Sequence, residues 1–363
     1  MTPEQVIERL KVIRKTNPGN LVARHFDETY FRALDDPSRL RLMKIIASGI
    51  ENPDSRMGAY AMNAEDYEHF APMLGPMIRD FHGIPVDMDI AQKSDWDFGG
   101  MSCDIAATES RLKDMSIRVR VARNVSTFSL PGAMTKEERV ALEHLATQAF
   151  AALRESSEFG GRYLSITPDS PDKINASEYH RRVEAHQMFK DMSADSYLNM
   201  AGISADWPYG RGMYLSQDED FLVWVGEEDH LRFIALQQGG NLNALFERLR
   251  IGLERLQDLL PAFVTSPCYG NVTSCPTNLG TGMRASVHML LPRLTSNGRD
   301  LARLTRLANA LGLDVRGAGG EHSDPREDGL VDISPRARLG LTEAAIMHRL
   351  YEGATALRAV EAG

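Results

Sequence analysis

The residues best suited to chemistry in this sequence are arginines beside glycine-rich turns or on strand-like segments. Arg118 and Arg120 alternate within SIRVR, so both side chains point to the same face of the expected strand. Guanidinium groups bind phosphate oxygens in a planar, bidentate geometry, and glycine turns expose backbone N–H groups to an anion. Taken singly, each arginine is more simply a surface or salt-bridge residue, but the group predicts an anion site. The other members are Arg232 after the acidic turn GEED, Arg284 after NLGTGM, and Arg316 at the start of RGAGGEH.

A cysteine and two acidic segments supply the other candidate groups. Cys275 precedes the turn PTNLG, whose hydroxyl and later cation could hold a thiolate, although a lone cysteine is ordinarily a small buried hydrophobe. Residues 227–229 (EED) crowd one turn, and Glu321 ends a glycine-rich loop. Acidic turns are usually solvated, but a cationic guanidinium acceptor would need carboxylates to hold its charge and accept its proton. Carboxylates and arginines in one cleft would suit phosphoryl transfer to a cation.

Familiar nucleotide-binding motifs are absent from the sequence. There is no GxxxxGK[ST] loop, no HRD-type catalytic loop and no GxGxxG after a strand. Of the 41 basic residues only 8 are lysines, which leaves 33 arginines, and no lysine follows Lys190. If the chain binds ATP, arginines must therefore hold the phosphates.

Composition limits the possible classes of protein. The 363 residues are 43% hydrophobic and 25% charged, which is typical of a globular protein, and the longest apolar runs are too short for a membrane helix. The net charge of −9 argues against a nucleic-acid partner. Because the N-terminus mixes acids and bases and there are only three cysteines, we expect a cytoplasmic protein without disulfides.

The periodicity predicts a small, mainly helical N-terminal domain and a larger domain in which helices lie against a β-sheet. Short helical segments such as 3–14, 37–47 and 63–81 fill residues 1–83, a linker without period covers 84–108, and the larger domain takes 109–363. Thr135 and Glu138 form a capping box that opens a long helix. Strands are predicted at 117–121, 161–166, 221–225, 231–236, 285–291 and 330–333.

Several motifs, in the same order, resemble those of the phosphagen kinases, the arginine and creatine kinases. CPTNLGTGMRASVH (275–288) is similar to their signature segment, and FLVWVGEEDHLR, SIRVRVAR and DVRGAGGEH resemble three further motifs. In the small domain, the stretch from SGIENPDSRMGAY to RDFHG resembles their guanidino-specificity region. The resemblance extends from about residue 34 to residue 358. It implies an α+β fold with a small all-α N-terminal domain and, at 109–363, a larger catalytic domain in which helices flank an antiparallel β-sheet.

This resemblance implies roles for individual residues. Glu228 and Glu321 would hold the guanidinium and Cys275 would lie beside it as a thiolate, with Thr277 assisting. Magnesium would be held by phosphate oxygens and water, with Glu227 acting through water rather than as a direct ligand. The specificity loop from Ser55 to Tyr60, with Arg56 and Met57, would receive the other end of the acceptor. The expected nucleotide-binding residues are Ser116, Arg118, Arg120, Arg232, Arg284, Ala285, Ser286, Val287, His288, Arg316, Gly317, Ala318, Gly319 and Gly320.

The resemblance also implies the reaction, which is reversible in-line transfer of the γ-phosphoryl of ATP to a guanidino nitrogen without a phospho-enzyme. Such a transition state requires positioning and charge neutralisation, and closure of the site must exclude water. We therefore expect the loop from Arg316 to Gly329 to be mobile. The partners are a nucleotide (ATP or ADP with Mg²⁺) and a small guanidino compound, and the protein is expected to be a monomer or a homodimer.

Glu321 and Tyr60 resemble the arginine-specific members, so L-arginine is the leading acceptor. Four positions depart from the family pattern. Leu215 replaces an adenine-contacting histidine, Gly226 an asparagine, and Gly319 an arginine. Arg56 stands where a glycine is usual, and would either clash with arginine or pair with a carboxylate or sulfonate tail, which leaves taurocyamine open.

Two other functions compete with this prediction. Protein arginine kinases look similar in the large domain but lack the helical small domain. An inactive relative that binds nucleotide and regulates a partner would have no chemical reason to retain Cys275, Glu228, Glu321 and all five arginines.

Overall fold

The structure is a computed structural model that describes residues 1–100, 102–103, 116–239, 241–317 and 328–363. In its helical N-terminal part, the first four helices each begin at a residue whose side chain caps the helix. The Thr2 hydroxyl accepts the Gln5 N–H in a capping box, and Asp35 accepts the Ser38 N–H. The predicted helix at 63–81 is divided at Phe70, where one helix ends and the next begins. The helices are α1 (Pro3–Thr16), α2 (Leu21–His25), α3 (Glu28–Ala33), α4 (Asp36–Ile45), α5 (Ala47–Glu51), α6 (Asp66–His69) and α7 (Ala71–His82).

The core of this helical domain includes a segment from the far end of the chain. Val272, Cys275 and Leu279 are buried among the side chains of α1 to α7. The Tyr67 hydroxyl donates to the Thr273 carbonyl at 2.7 Å, and the Ala61 N–H donates to the Ser274 carbonyl at 2.7 Å. The cysteine segment is therefore fixed by the helical domain, although it belongs to the larger domain in sequence.

The larger domain is built on an eight-stranded sheet in which all neighbouring strands are antiparallel. A separate two-stranded hairpin joins β6 (Thr265–Ser266) to β7 (Gly270–Asn271). The strands of the large sheet, in spatial order, are β2 (Gly161–Ser165), β3 (Gly212–Ser216), β4 (Phe221–Val225), β5 (Leu231–Gln238), β1 (Ser116–Arg123), β8 (Met283–Leu290), β10 (Leu330–Pro335) and β9 (Leu313–Gly317).

Helices pack on both faces of the sheet. One face carries the main core, formed with α8, α11, α12 and α13, and the other carries a smaller apolar cluster beside α9 and α10. The predicted capping box is confirmed, since Thr135 and Glu138 exchange hydrogen bonds at the start of α8. The helices are α8 (Lys136–Arg154), α9 (Ala176–Glu184), α10 (Ser196–Met200), α11 (Leu242–Gln257), α12 (Ala302–Ala310) and α13 (Glu343–Ala362).

The predicted fold class is confirmed, and each of the six predicted strands is present. β3 and β9 were missed. β3 is buried along its whole length, so its residues show no alternation, and β9 alternates weakly at the edge of the sheet. The domain boundaries at 83/84 and 108/109 stay predictions. None of the described helices combines the length and apolar composition that a bilayer-crossing segment requires.

Candidate active site

A cleft of about 1370 Å³ lies between the helical domain and the outer face of the sheet. It collects most of the residues that the sequence singled out. Ala285 and Val287 are instead buried in the core on the opposite face of β8, and Gly317 is not part of the cleft wall. Ala318 to Gly320 and Glu321 lie outside the described residues, as does most of the loop that was expected to be mobile. The predicted residues that line the cleft are Ser55, Arg56, Met57, Tyr60, Ser116, Arg118, Arg120, Glu227, Glu228, Arg232, Cys275, Thr277, Arg284, Ser286, His288 and Arg316.

The floor of the cleft is a cluster of arginines set by strand alternation. Ile117, Val119 and Val121 of β1 enter the core, so Arg118 and Arg120 face the cleft. In the antiparallel register Arg120 lies opposite Arg284 of β8. The alternation predicted from SIRVR is therefore correct, and the sheet brings a third arginine beside the pair.

Arg118 and Arg120 carry positive charge that the nearby carboxylates Glu227 and Asp332 compensate only in part. Burial, reinforced by Arg232 and Arg284, lowers the pKa of Arg118 to about 10 and lowers the pKa of Arg120 well below its ordinary value. Within the part of the chain that the structure describes, Nε and Nη2 of Arg118 have no hydrogen-bond partner, and the guanidinium lies 5.0 Å from the centre of the Trp224 ring. Buried donors without partners are costly, so this floor is suited to an anion with several acceptor oxygens.

The remaining arginines are held by hydrogen bonds from the protein. Arg284 donates to Asp332 at 2.7 Å, and Arg232 contacts Glu227 at 2.9 Å and Glu228 at 3.0 Å. These contacts fix where the guanidinium planes point. Although burial opposes the effect, the carboxylates of Glu227 and Glu228 raise the pKa of Arg232.

Arg338 is a cleft residue that the sequence reasoning missed. It follows β10, and its guanidinium donates to the Thr277 carbonyl at 3.0 Å and to the side-chain oxygen of Asn278. Burial and the neighbouring Arg284 and Arg316 lower its pKa to about 10. It comes after the strand predicted at 330–333, and this position at a strand end is the signal that could have found it.

The acidic turn between β4 and β5 depends on glycine. Gly226 has φ of +70°, and a Cβ there would lie 2.5 Å from the Gly210 carbonyl oxygen. Asparagine, which Gly226 was taken to replace, also adopts positive φ. In this chain, however, the close contact with the Gly210 carbonyl oxygen leaves room only for glycine. The turn projects Glu227 and Glu228 into the cleft.

Glu228 is the carboxylate with the most altered acidity in the cleft. Its Oε2 accepts hydrogen bonds from Arg232 at 3.0 Å and from Asn278 at 3.1 Å. Burial raises the pKa of Glu228 to about 7, with Arg232 opposing and Glu227 reinforcing the shift. A carboxyl group with this pKa changes charge near neutral pH, as expected of a group that accepts or gives a proton.

Asp229 connects the acidic turn to the cysteine segment. Its Oδ1 accepts the Ser274 N–H at 2.8 Å and the Asn124 side-chain amide at 2.8 Å. Because Ser274 directly precedes Cys275, this carboxylate fixes the distance between Glu228 and the thiol.

Cys275 is buried, and its Sγ lies 3.2 Å from the Thr277 hydroxyl. Burial and the charge of Glu228 raise the pKa of the thiol, and the hydrogen bond from Thr277 opposes this only in part. The thiolate expected from the sequence is therefore not favoured by the protein groups alone. The nearest charges are carboxylates, which are apparent only in three dimensions, so the thiolate beside a bound cationic acceptor stays a prediction.

At the other end of the cleft, His288 of β8 faces His186. Burial lowers the pKa of His288, and His186 and Arg118 lower it further, although Asp332 opposes them. Sequence reasoning missed His186, which no motif marked. Leu215, which was taken to replace an adenine-contacting histidine, is buried in the apolar cluster of β3 and does not line the cleft.

The opposite end is formed by the loop from Ser55 to Tyr60. The Leu21 N–H donates to the Arg56 carbonyl at 2.8 Å, and the Tyr60 N–H donates to the Ile45 carbonyl at 2.8 Å. The loop also contacts the larger domain, since the Tyr197 hydroxyl donates to the Asp54 carboxylate at 2.5 Å. The loop is thus held from both sides.

Comparison with known families identifies the group to which this cleft belongs. The family described as "ATP:guanido phosphotransferase, C-terminal catalytic domain" matches residues 141–363, and "ATP:guanido phosphotransferase, N-terminal domain" matches residues 16–79. The chain belongs to the ATP:guanido phosphotransferase family. The resemblance stated from the motifs is confirmed, and the chain is an enzyme of this family, which uses ATP or ADP and a small guanidino substrate.

Curated relatives of this ATP:guanido phosphotransferase extend over nearly its full length. Arginine kinase Met e 2 of Metapenaeus ensis is 33% identical over 99% of both chains. The arginine kinase of Limulus polyphemus is 33% identical over 92% of this chain and 90% of its own length.

Solved structures of the family include kinases named for other acceptors. A duplicated taurocyamine kinase from Schistosoma mansoni, solved with transition-state analogue components, is 30% identical, has a TM-score of 0.83 and matches 98% of this chain. The present chain spans 48% of that protein's length. Lombricine kinase is 28% identical, has a TM-score of 0.81, and the match covers 95% of this chain and 92% of that chain.

Proposed function

We propose that this phosphagen kinase reversibly transfers the γ-phosphoryl group of ATP to free L-arginine. The observation that carries the proposal is that one cleft joins Glu228, Cys275 and the arginine cluster. If these groups lay on separate surfaces, the acceptor guanidinium could not be placed beside the γ-phosphate of ATP. The full-length arginine kinase relatives support arginine as the acceptor.

In this proposal the triphosphate lies on the arginine floor. Arg118 and Arg120, whose own charge the nearby carboxylates compensate only in part, neutralise the phosphate oxygens, while Arg232, Arg284 and Arg316 complete the set. Ser116, Ser286 and His288 line the nucleotide end, and the backbone of residues 285–287 and 317–320 is assigned to the nucleotide from the motifs alone. Positioned guanidinium groups of this kind stabilise the spread charge of a phosphoryl transition state.

The acceptor guanidinium lies against Glu228 in this proposal, with Glu321 as a second carboxylate. A bound cation favours the charged form of Glu228, so the carboxylate can hold the guanidinium and take up its proton. The same cation lowers the pKa of the Cys275 thiol, which reverses the effect of the surrounding carboxylates and restores the thiolate expected from the sequence.

Magnesium fits this site as part of the nucleotide. Among the described residues no group of three or more His, Cys, Asp or Glu side chains could hold a metal ion, and Glu227 is engaged with Arg232. Phosphate oxygens and water would supply the ligands, and Glu227 would act through water. When bound, the ion would neutralise charge on the phosphate oxygens.

The test is an ADP-release assay with arginine, taurocyamine, glycocyamine, creatine and an arginine-containing peptide, run on the wild type, Glu228→Gln and Cys275→Ala. We expect the highest kcat/KM with arginine and a large loss in both variants. A faster rate with taurocyamine would identify taurocyamine, and not arginine, as the acceptor. A faster rate with the peptide would favour a protein arginine kinase. No turnover of any acceptor, together with nucleotide binding, would favour an inactive regulatory relative.

Two further expectations accompany this function. A monomer or homodimer is expected, which light scattering after size-exclusion chromatography would determine. The cytoplasmic location stays a prediction from the sequence, and fractionation of the source cells would test it.

A further inference from the structure

A buried amide lies behind the wall of the cleft, at the end of the strand that carries Arg118 and Arg120. Asn124 directly follows β1, is buried and does not line the cleft. The proposed reaction assigns it no role. A buried polar side chain is stable only when its hydrogen bonds are made, so the partners of Asn124 show which parts of the chain the amide holds together.

The Asn124 side chain makes three hydrogen bonds to two other segments. Its Oδ1 accepts the His230 N–H at 2.8 Å, and its Nδ2 donates to Oδ1 of Asp229 at 2.8 Å and to the Val272 carbonyl at 3.0 Å. Asp229 and His230 belong to the acidic turn, and Val272 belongs to the cysteine segment. These partners require a side chain that accepts one hydrogen bond and donates two, as an amide does.

Asp229 extends this connection further into the cysteine segment. Its Oδ1 also accepts the Ser274 N–H at 2.8 Å, and its Oδ2 lies 4.0 Å from the Arg232 guanidinium but has no hydrogen-bond partner in the described ranges. Burial raises the pKa of Asp229, whereas Arg232, the Ser274 N–H and the Asn124 amide lower it. The amide therefore stabilises the buried carboxylate that links the acidic turn to the cysteine segment.

The backbone that carries this amide is itself fixed. The Asn124 carbonyl accepts the Val264 N–H at 2.8 Å, and the neighbouring Val125 N–H donates to Nδ1 of His230 at 3.1 Å. Nε2 of His230 then carries the proton and donates to the Ser129 carbonyl at 2.8 Å, and burial lowers the pKa of this imidazole to about 4. Because its base is held in this way, the amide sets the position of the acidic turn relative to β1.

We propose that Asn124 is a positioning residue for phosphoryl transfer, which holds Glu228 and Cys275 in register with the arginines of β1. The inference rests on the proposed function, which assigns the acceptor to Glu228 and Cys275 and the phosphates to β1. Asn124 touches neither substrate and acts through the acidic turn and the cysteine segment. A displacement of about 1 Å in a positioned group lowers a rate by as much as about 100-fold, so loss of this connection should appear in kcat.

The experiment measures kcat, KM for ATP and KM for the preferred acceptor in Asn124→Leu and Asn124→Ser. Leucine is close to asparagine in size but makes no side-chain hydrogen bond. Serine keeps one hydroxyl and provides the test if the leucine variant does not fold. We expect kcat to fall at least about tenfold with leucine and at least about fivefold with serine. KM for ATP should change by less than about twofold, because Arg118 and Arg120 stay on a strand that both neighbouring strands hold.

Glu143→Gln is the matched control for a loss of stability alone. Glu143 is also buried and accepts hydrogen bonds from the hydroxyls of Ser165 at 2.6 Å and Tyr163 at 3.1 Å, but it does not line the cleft. Its melting temperature should fall, as in the Asn124 variants. Its kcat per folded molecule should stay at the wild-type value.

A double-mutant cycle tests whether Asn124 acts through Asp229. In an Asp229→Ala background, Asn124→Ser should lower kcat by less than about twofold, because the carboxylate through which the amide acts is already absent. The proposal is overturned if these two effects multiply independently. It is also overturned if the Asn124 variants keep the wild-type kcat, or lose no more of it than Glu143→Gln does. Failure of the proposed function looks different, because the wild type would then phosphorylate no free guanidino acceptor.

Discussion

The two ends of the cleft are built on different principles. At the end proposed to bind phosphate, called the phosphate end, guanidinium groups project from adjoining strands, and the described carboxylates compensate the charge of two of them only in part. At the acceptor end, a loop, a buried cysteine segment and an acidic turn meet, each held by hydrogen bonds from a different element. The strand register thus sets the proposed phosphate site, while the proposed acceptor site depends on contacts between distant parts of the chain.

This difference has a consequence for stability. A strand inside the sheet tolerates substitution of a residue that faces the cleft, because hydrogen bonds to the strands on both sides hold its backbone. The acceptor end lacks such a ladder of hydrogen bonds between strands. A change in the backbone of one of its segments is therefore expected to displace the neighbouring segments. We therefore expect substitutions at the phosphate end to affect catalysis more than folding, and backbone changes at the acceptor end to affect both.

The largest effect is expected from Arg118→Ala. The transition state loses a guanidinium group, so kcat should fall by about 10³-fold or more, by analogy with arginine fingers. The melting temperature should change little, because Nε and Nη2 of Arg118 have no hydrogen-bond partner among the described residues. Arg284→Ala is the matched comparison, since it should also abolish activity but leave Asp332 unpaired and cost about 1–3 kcal/mol of stability. Equal loss of stability in both variants would contradict the distinction between the two arginines.

The next effect concerns Glu228 and pH. Because burial raises its pKa to about 7, the side chain is protonated below that pH and carries no charge to attract the acceptor cation. Acceptor affinity should therefore rise about tenfold per pH unit up to pH 7 and level off above it, whereas nucleotide affinity should not follow this curve. Isothermal titration between pH 5.5 and 8.5 measures both.

Glu228→Gln provides the control for this pH dependence. The variant should flatten the acceptor curve and lower kcat/KM by about 10²-fold or more. Glu247→Gln, on the surface of α11 where Glu247 pairs with Arg250, should behave as the wild type. If the slope persists in Glu228→Gln, another group is responsible for it.

A smaller effect is expected from Gly58→Ala at the acceptor end. Gly58 has φ of +68°, and a Cβ there would lie 2.5 Å from the Gly49 Cα, so the specificity loop must move. We expect the acceptor KM to rise about tenfold and stability to fall by about 1–3 kcal/mol, with nucleotide affinity unchanged. Gly19→Ala is the matched control because no atom lies within 4 Å of its added Cβ. Equal behaviour of the two variants would refute the idea that the loop is held by this contact.

The smallest effect is expected from Tyr197→Phe. It removes one hydrogen bond from the larger domain to Asp54, so the acceptor KM should rise about two- to fivefold. A double-mutant cycle with Asp54→Asn isolates this contact. If Tyr197→Phe raises the acceptor KM equally with and without Asp54→Asn, the hydrogen bond between these two side chains is not the cause of the rise.

The sequence alone predicted the fold class, six strands and the arginines of the phosphate end. These features follow from local patterns. The alternation in SIRVR predicts which side chains share a face, and the capping box predicts where α8 begins. Arg338 and His186 were missed because neither belongs to a recognised motif, although Arg338 follows a strand.

Only the tertiary structure decided how charges and backbone segments meet. It placed Leu215 inside the sheet packing, brought Cys275 into the core of the helical domain, and set Glu228 and Asp229 close enough to raise the pKa of the thiol. The physical reason is that acidity and burial depend on neighbours far away in sequence. Local periodicity determines which face a side chain occupies, but the partners across that face are set by the folded chain.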